Sequence, residues 1–153
     1  MKIFIDTNII LEYLLDREES DAVDRIMTWA DDNNVELIIS SGSAYTLTYT
    51  IDKYLRKDMK IFNPERTEQL RNVMKTIFGR YTVESLDTET FYASAGNLCF
   101  EDLEDSYQWA TAQTASCDAL LTLNIRDYER ADDNSPTAPR ILTPRGFITA
   151  YDL

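Results

Sequence analysis

The chain has no histidine, and this absence excludes several kinds of site chemistry. Without an imidazole there is no histidine general base and no serine or cysteine triad built around one, and most zinc sites are excluded. The two cysteines, Cys99 and Cys117, lack metal-ligand spacing, and we interpret them as buried free thiols in a reducing compartment. The catalytic option that remains is carboxylate chemistry with a hard cation held by oxygen ligands.

Basic residues are scarce, and long apolar runs are absent. There are 15 Lys and Arg residues against 27 Asp and Glu, a net charge of −12, which argues against general attraction to nucleic acid or to an anionic membrane. A local basic patch beside an acidic metal site is compatible with this charge. No stretch approaches the roughly 20 apolar residues that cross a bilayer, and no signal peptide precedes the first strand, so we expect a cytoplasmic protein without membrane contact.

Glycine and proline number four each, and no linker, repeat or low-complexity tract divides the chain. The length fits one domain, which we place over residues 1–153. Short apolar runs predict strands, and between them apolar residues recur at helical spacing. The predicted strands cover residues 3–5, 36–40, 81–86, 119–123 and 140–143, and the predicted helices begin near residues 9, 22, 43, 64, 88 and 103. This alternation predicts a three-layer α/β/α sandwich with a mostly parallel central sheet.

The first predicted strand ends at a carboxylate, Asp6. The preceding run, residues 3–5, is apolar throughout, as in a strand that is covered on both faces. Thr7 and Asn8 follow before the first helical pattern begins. Ligands bind outside the carboxyl ends of strands in open α/β sheets, so Asp6 is a candidate for chemistry. Asp, Thr and Asn are also good helix N-caps, and capping is an equally good interpretation.

Two further polar clusters follow the same pattern. Residues 102–105 open a predicted helix, and residues 122–128 follow the strand at 119–123. The carboxyl ends of parallel strands and the amino ends of the following helices share one edge of a sheet. Clustered carboxylates there repel one another unless a cation such as Mg²⁺ or Mn²⁺ neutralises them. Such a cation lowers the pKa of a bound water and stabilises charge on a phosphate. The side chains expected to converge are Asp6, Asp105, Asn124 and Asp127.

These acidic residues also have structural alternatives. Asp102 can cap its helix, with Asp105 three residues later completing an imperfect capping box. Asp127 can simply belong to a surface turn. Glu101 and Glu104 are interpreted as solvated side chains rather than as ligands. The spacing alone therefore leaves both the metal site and the structural roles open.

Three segments together resemble the PIN domain: Asp6-Thr7-Asn8, the spacing from Asp105 to Ala112, and Thr122-x-Asn124-x-x-Asp127-Tyr128. That family includes VapC-like toxins of bacterial toxin–antitoxin pairs and other metal-dependent ribonucleases. The resemblance covers essentially the whole chain. It implies a single-strand-specific RNA endonuclease with an acidic Mg²⁺ or Mn²⁺ pocket, RNA as the substrate, a cognate antitoxin as the partner, and a homodimer.

The resemblance also implies roles for individual residues. Asp6 matches the family's first acid, Asp105 matches the third, and Asn124 or Asp127 matches the fourth. The expected metal ligands are Asp6, Asp105 and Asp127, and the expected catalytic residues add Asp102 and Asn124. The residues expected to bind substrate are Thr7, Asn8, Ser40, Thr46, Thr122, Lys53, Arg56 and Lys57.

One position departs from the family's pattern. The second acid, usually Glu, lies early in the helix after the second strand, and Thr46 occupies that position here. A hydroxyl can hold a metal-bound water but carries no charge, and Asn124 is neutral as well, so Asp102 and Asp127 would have to compensate. The alternative function is a PIN-like domain that binds RNA or a protein without cutting.

A basic stripe lies further along the same predicted helix, where Lys53, Arg56, Lys57 and Lys60 fall at i, i+3, i+4 and i+7. These side chains line one helix face and can contact phosphates. A solvated helix face is the alternative interpretation.

Two other enzyme classes fit the sequence less well. A haloacid-dehalogenase-like phosphatase needs a second Asp two residues after the first, and Asn8 occupies that position. A receiver domain needs a phospho-accepting Asp after a middle strand and a Lys late in the chain. Ser40 ends the second predicted strand and Asn124 follows the fourth. Neither is the phospho-accepting Asp or the late Lys, so neither requirement is met.

Overall fold

One five-stranded sheet forms the centre of the protein. The computed structural model describes residues 1–128, 130–131 and 137–153. All strand pairs are parallel, and the strand order is β3-β2-β1-β4-β5. The predicted parallel sheet is therefore confirmed. The strands are β1 Lys2–Ile5, β2 Glu36–Ser40, β3 Thr82–Glu84, β4 Ala119–Leu121 and β5 Arg140–Leu142.

Helices connect the strands and cover both faces of the sheet. They are α1 Thr7–Leu14, α2 Ser20–Asp32, α3 Ser41–Lys57, α4 Glu65–Arg80, α5 Thr88–Ala95, α6 Leu103–Thr114, α7 Ile125–Tyr128 and α8 Pro144–Ala150. The sequence predicted the first six. Helices α7 and α8 have only four and seven residues, which is too short for a repeating apolar pattern to be recognised in the sequence. Within the described ranges, no helix is both long and apolar enough to cross a membrane.

Side chains alternate between two cores, because successive residues of a strand point to opposite faces. Ile3 and Ile5 pack with the helices α1 to α4 and with Phe147 of α8. Phe4, between them, packs on the other face with Trp109 of α6 and with Tyr128 of α7. Every position of residues 3–5 is therefore buried, which explains the continuous apolar run. The predicted three-layer sandwich is confirmed.

Several predicted details around α3 and α4 were wrong. Helix α3 ends at Lys57, so Lys60 lies beyond the helix that carries the rest of the basic stripe. The pair Asn63-Pro64 is typical of a helix start and predicts Asn63 as the cap of α4, but Pro64 already has helical dihedrals and Asn63 does not cap the helix. A glycine also often ends a helix, and Gly79 is therefore the predicted stop of α4, but the helix does not end there. Gly79 is exposed, with open space around it, and α4 continues through it to Arg80 before the chain extends into β3.

The prediction of two buried cysteines was half right. Cys117 is buried, whereas Cys99 is exposed. Helix α5 ends at Ala95, so Leu98 and Cys99 lie in the connection to α6 and not on a helix face against the core. The apolar spacing of residues 91–99 therefore does not describe one packed helix.

The strand order places a topological switch point beside β1. The chain proceeds from β1 to β2 and β3 on one side of the sheet, and then crosses to β4 and β5 on the other side. Strands β1 and β4 are neighbours with connections that leave in opposite directions, which opens a crevice at their carboxyl ends. Asp6 and Thr122 directly follow these two strands, so the fold directs both to this crevice.

Candidate active site at the carboxyl edge of the sheet

Asp6 lies at the switch point and is only 3% exposed. Its backbone N–H donates to the carbonyl of Leu121 at 3.0 Å, which continues the pairing of β1 with β4. Its side chain accepts a hydrogen bond from the backbone N–H of Asn8 at 3.4 Å and thereby caps α1. Burial raises the pKa of Asp6, and the hydrogen bonds of its carboxylate offset part of this increase. Asp6 therefore combines the capping role with a position at the edge where ligands bind.

A hydrogen-bond network joins Asp6 to the end of β4. The hydroxyl of Thr122 donates to Asp6 Oδ2 at 2.7 Å, and the side-chain amide of Asn8 donates to the same oxygen at 2.6 Å. The backbone N–H groups of Leu123 and Asn124 donate to Asn8 Oδ1 at 3.3 Å and to Thr122 Oγ1 at 3.0 Å. Asn8 and Thr122, expected to bind substrate, thus use their polar groups to position Asp6.

Asp105 faces the same crevice from the first turn of α6. Asp102 caps this helix by accepting from the backbone N–H of Glu104 at 2.8 Å. Burial raises the pKa of Asp105 to about 6, and the negative charges of Asp6 and Asp102 act in the same direction. The structure therefore brings Asp6 and Asp105 close enough for their charges to interact, and it gives Asp102 the capping role that the sequence left open.

Tyr128 holds the carboxylate of Asp105 in place. Its hydroxyl donates to Asp105 Oδ1 at 3.2 Å. The ring is fully buried and packs edge-on against Phe100 and obliquely against Trp109. Burial, followed by the charges of Asp6 and Asp105, raises the pKa of Tyr128 far above its ordinary value, so the phenol stays protonated and acts as a donor. The position was part of the PIN resemblance, but the sequence did not show this contact.

Glu104 also belongs to the site, contrary to the interpretation of it as a solvated side chain. It is half-buried, and the hydroxyl of Thr46 donates to its Oε1 at 3.2 Å. Its negative charge contributes to the raised pKa of Asp6. Glu104 reaches this place because the amino ends of α3 and α6 meet above the sheet. Glu101, by contrast, is 94% exposed in its side chain, as expected.

A neutral amide completes the surroundings of Asp6. Gln108 is one turn beyond Glu104 on α6, is only 2% exposed, and lies near Asp6, where its side chain lowers the pKa of that carboxyl. Its Oε1 has no hydrogen-bond partner among the described residues, and neither has the buried Oγ1 of Thr7. Unpaired buried oxygens are costly. The available sequence signal for Gln108 was its spacing, four residues after Glu104 and three after Asp105, which places the three side chains on one face of α6.

An open cleft of about 740 Å³ leads to Asp105 from outside. Asn124 and Asp127 line it and are exposed, so they face the cleft and not the core. Arg126 and Arg130 line it as well, although the sequence did not single them out. The cleft is formed by Cys99, Glu101, Asp102, Leu103, Asp105, Asn124, Arg126, Asp127 and Arg130.

The remaining residues expected to bind substrate lie away from the cleft lining. Ser40 is buried and caps α3, accepting from the backbone N–H of Ser43 at 2.9 Å. Lys53, Arg56 and Lys57 are exposed on the last turns of α3. At a rise of about 1.5 Å per residue, Lys53 lies roughly 10 Å along the helix axis from Thr46. The basic stripe is therefore accessible but separate from the acidic crevice.

The donor set fits a hard cation that keeps part of its water. Among residues 1–128, 130–131 and 137–153, no three or more acidic, cysteine or histidine side chains form a ready metal cluster. Mg²⁺, however, commonly uses one or two carboxylates and retains several waters. Asp6 and Asp105 supply two carboxylates whose mutual repulsion a cation would relieve, and Gln108 near Asp6 has a buried Oε1 without a partner among the described residues. Asp6 and Asp105, with Glu104 beside them, are the residues that would hold it.

These features define a class of protein: an α/β domain with an acidic crevice at the switch point of a parallel sheet. A sequence model of the PIN domain matches residues 2–126. The chain therefore belongs to the PIN domain family, and the predicted resemblance is confirmed. No curated protein matches the sequence.

Solved structures with the same fold include chains from two bacteria. A chain of VapBC2 from Rickettsia felis, solved bound to a DNA fragment from their promoter, superposes with a TM-score of 0.67 at 16% identity, over 94% of this chain and 98% of that one. A chain of VapBC-1 from nontypeable Haemophilus influenzae gives a TM-score of 0.65 at 17% identity, over 95% and 99%. At these identities the likeness shows a shared fold.

Proposed function

We propose that this protein is a Mg²⁺- or Mn²⁺-dependent endonuclease that cuts single-stranded RNA. The observation that carries the proposal is the pair Asp6 and Asp105 at the switch point of a PIN domain. Their negative charges interact, and the charge of Asp6 raises the pKa of Asp105. Keeping like charges together has a cost that a folded protein tolerates where a cation or a reaction uses them. Membership of the PIN family supports the same reaction class.

The residues of the site divide into holding and positioning groups. Asp6 and Asp105 would hold the cation, and Glu104 adds negative charge beside Thr46. A bound cation activates a water and neutralises charge on the phosphate. Thr122 fixes the carboxylate of Asp6, and Tyr128 fixes that of Asp105.

Exposed residues at the mouth of the cleft act on what enters it. Asp127 and Asn124 line the mouth, where they would add polar groups near a cation held by Asp6 and Asp105. Asp102 keeps the amino end of α6 in place by capping it. The basic stripe of Lys53, Arg56 and Lys57 guides the strand at a distance from the reacting phosphate.

We further propose that the protein is the toxin of a toxin–antitoxin pair in the cytoplasm, active as a homodimer and bound by a cognate antitoxin. This proposal rests on the fold shared with chains of VapBC2 and VapBC-1. Co-expression with the product of a neighbouring small gene, followed by size-exclusion chromatography, tests both the antitoxin and the dimer.

A second candidate function is a PIN-like module that binds RNA or a protein without cutting. The specific observation in its favour is the neutral Thr46 at the position of the family's second acid, together with the absence of a three-acid cluster among the described residues. The two candidates differ in one measurable property, which is turnover.

Cleavage of labelled single-stranded RNA by purified protein in Mn²⁺ or Mg²⁺ tests the proposal. We expect cleavage by the wild type, loss of cleavage in Asp6→Asn, and retention in Asp32→Asn, which removes an exposed acid from the end of α2. EDTA should stop the reaction. RNA binding without any cleavage, by a folded protein that binds Mn²⁺, would contradict the nuclease and favour the binding module.

A further inference from the structure

The cleft carries two cations among its acids. Its acidic side chains are Glu101, Asp102, Asp105 and Asp127, and its basic ones are Arg126 and Arg130. In a protein of net charge −12, two arginines in one cleft are a local excess of positive charge. Both come from α7 or the residues just after it, so one short segment brings them there together.

Neither arginine is committed to a strong partner within the described residues. Arg130 lies 3.9 Å from Glu101, and the two side chains are 71% and 94% exposed, so this ion pair contributes little and exchanges readily. No acid among the described residues lies within ion-pair distance of Arg126, which is exposed on α7. Their guanidinium groups can therefore take a ligand at low cost.

We propose that Arg126 and Arg130 bind a phosphate of the RNA strand and place it against Asp105 and Asp6. This inference rests on the proposed nuclease function and names the substrate contact at the same site. A guanidinium presents a planar fork of N–H donors that matches two oxygens of one phosphate. The acids of the cleft repel a phosphate until a cation neutralises them, and the arginines supply attraction that does not depend on that cation.

The two basic surfaces then have different roles. The stripe of Lys53, Arg56 and Lys57 lies outside the cleft and adds general attraction along the strand. The arginine pair lies on the cleft wall with Asp105, so it fixes which phosphate reaches the acids. Loss of the stripe weakens binding, whereas loss of the pair also misplaces the strand.

The test measures binding of a labelled single-stranded RNA by fluorescence anisotropy in an Asp6→Asn background, in Mg²⁺, over a series of salt concentrations. The double change Arg126→Ala and Arg130→Ala should weaken binding by on the order of tenfold at low salt. It should also make the salt slope shallower by about 0.7, because neutralising one phosphate of a single strand contributes about 0.7. Replacing both residues by Lys should keep the slope while losing affinity, since charge remains and the fork does not.

Two controls separate this inference from the proposed function. Arg140→Ala removes one exposed charge at the amino end of β5, on the opposite edge of the sheet, and should leave affinity and slope unchanged. Calorimetry with Mn²⁺ on otherwise unchanged protein should show the same metal affinity for the double alanine variant as for the wild type.

Unchanged RNA affinity and slope in the double alanine variant, with binding by the parent intact, would overturn the arginine assignment alone. If the Asp6→Asn protein does not bind RNA, the proposed phosphate contact of the two arginines is overturned. If the wild type also fails to cleave RNA, the proposed nuclease function is overturned as well.

Discussion

The hydroxyl of Thr46 donates a hydrogen bond to Glu104 Oε1 at 3.2 Å, joining α3 to the first turn of α6. The family resemblance puts an acid at position 46, and this chain has a neutral side chain there. Glu104 brings a carboxylate to the same place from the neighbouring helix. The negative charge that the site lacks on α3 is therefore present on α6.

Exchanging the two residues tests whether the charge matters more than its helix of origin. Glu104→Gln should weaken Mn²⁺ binding by roughly tenfold, because ligand charge is one determinant of affinity for hard cations. Adding Thr46→Glu to this variant should restore most of the affinity. Glu101→Gln, a change at an exposed acid three residues earlier, is the matched control. Calorimetric titration gives the four binding constants, and equal affinities for Glu104→Gln and wild type would refute the assignment.

Asp105→Asn should stabilise the metal-free protein at neutral pH. The folded-state pKa of Asp105 is raised to about 6 from 3.8, so its stabilising contribution is fully present below pH 3.8 and lost as the pH rises through 6. At pH 7.5 we expect the melting temperature of Asp105→Asn to exceed that of the wild type by about 2–4 °C, the shift for about 1 kcal/mol after solvent screening.

At pH 4 the difference should vanish, because the carboxyl is then protonated in the wild type. Asp32→Asn should show no change at either pH. Thermal denaturation followed by circular dichroism in EDTA measures all three proteins, and a destabilised Asp105→Asn at pH 7.5 would show that the carboxylate is not under electrostatic strain.

Tyr128→Phe separates the hydroxyl of this residue from its ring. The ring packing remains, but Asp105 loses its donor, so we expect a loss of about 1 kcal/mol in the free energy of unfolding. Catalytic turnover should fall while RNA affinity stays close to wild type, since the hydroxyl positions an acid and does not touch the strand. Tyr128→Ala should cost about 3–5 kcal/mol, as expected for removal of a fully buried aromatic ring. Urea denaturation and steady-state kinetics are the measurements, and an unaltered turnover in Tyr128→Phe would argue against a positioning role.

The two cysteines should differ sharply in reactivity. Burial raises the pKa of Cys117 to about 12, so its thiolate is nearly absent at pH 8. Cys99 is exposed and lines the cleft. We expect Ellman's reagent to modify one thiol in the native protein and two in denaturant, with the native reaction abolished in Cys99→Ser. Fast reaction of a second native thiol would mean that Cys117 is not buried as described.

The sequence predicts the sheet and the two principal acids because both depend on local patterns. Residues 3–5 and 37–39 are apolar runs that only a doubly covered strand explains, and Asp6 directly follows one of them. Helix α4 begins at Glu65, next to the predicted start near residue 64, and only the Asn63 cap was wrong, because Pro64 already has helical dihedrals.

The rest of the site depends on contacts between helices, which spacing along the chain does not contain. Glu104 was assigned to solvent because nothing in its own segment shows that α3 packs beside it. Arg126 lies on a four-residue helix and Arg130 just after it, and that helix is too short for a hydrophobic period to reveal which side faces the cleft. A search for acids alone passes over both arginines.

The hydrogen bonds among Asp6, Asn8 and Thr122 are formed entirely by groups of the polypeptide. The scaffold of the site is thus preassembled by the polypeptide, unlike a zinc finger, whose fold collapses when its metal is stripped. Removal of the cation by a chelator should therefore abolish the proposed nuclease activity without unfolding the protein. Adding the cation back should restore the activity as fast as the cation binds. The proposed activity would then be controlled by the availability of the cation or by a partner that covers the cleft, while the protein itself stays folded.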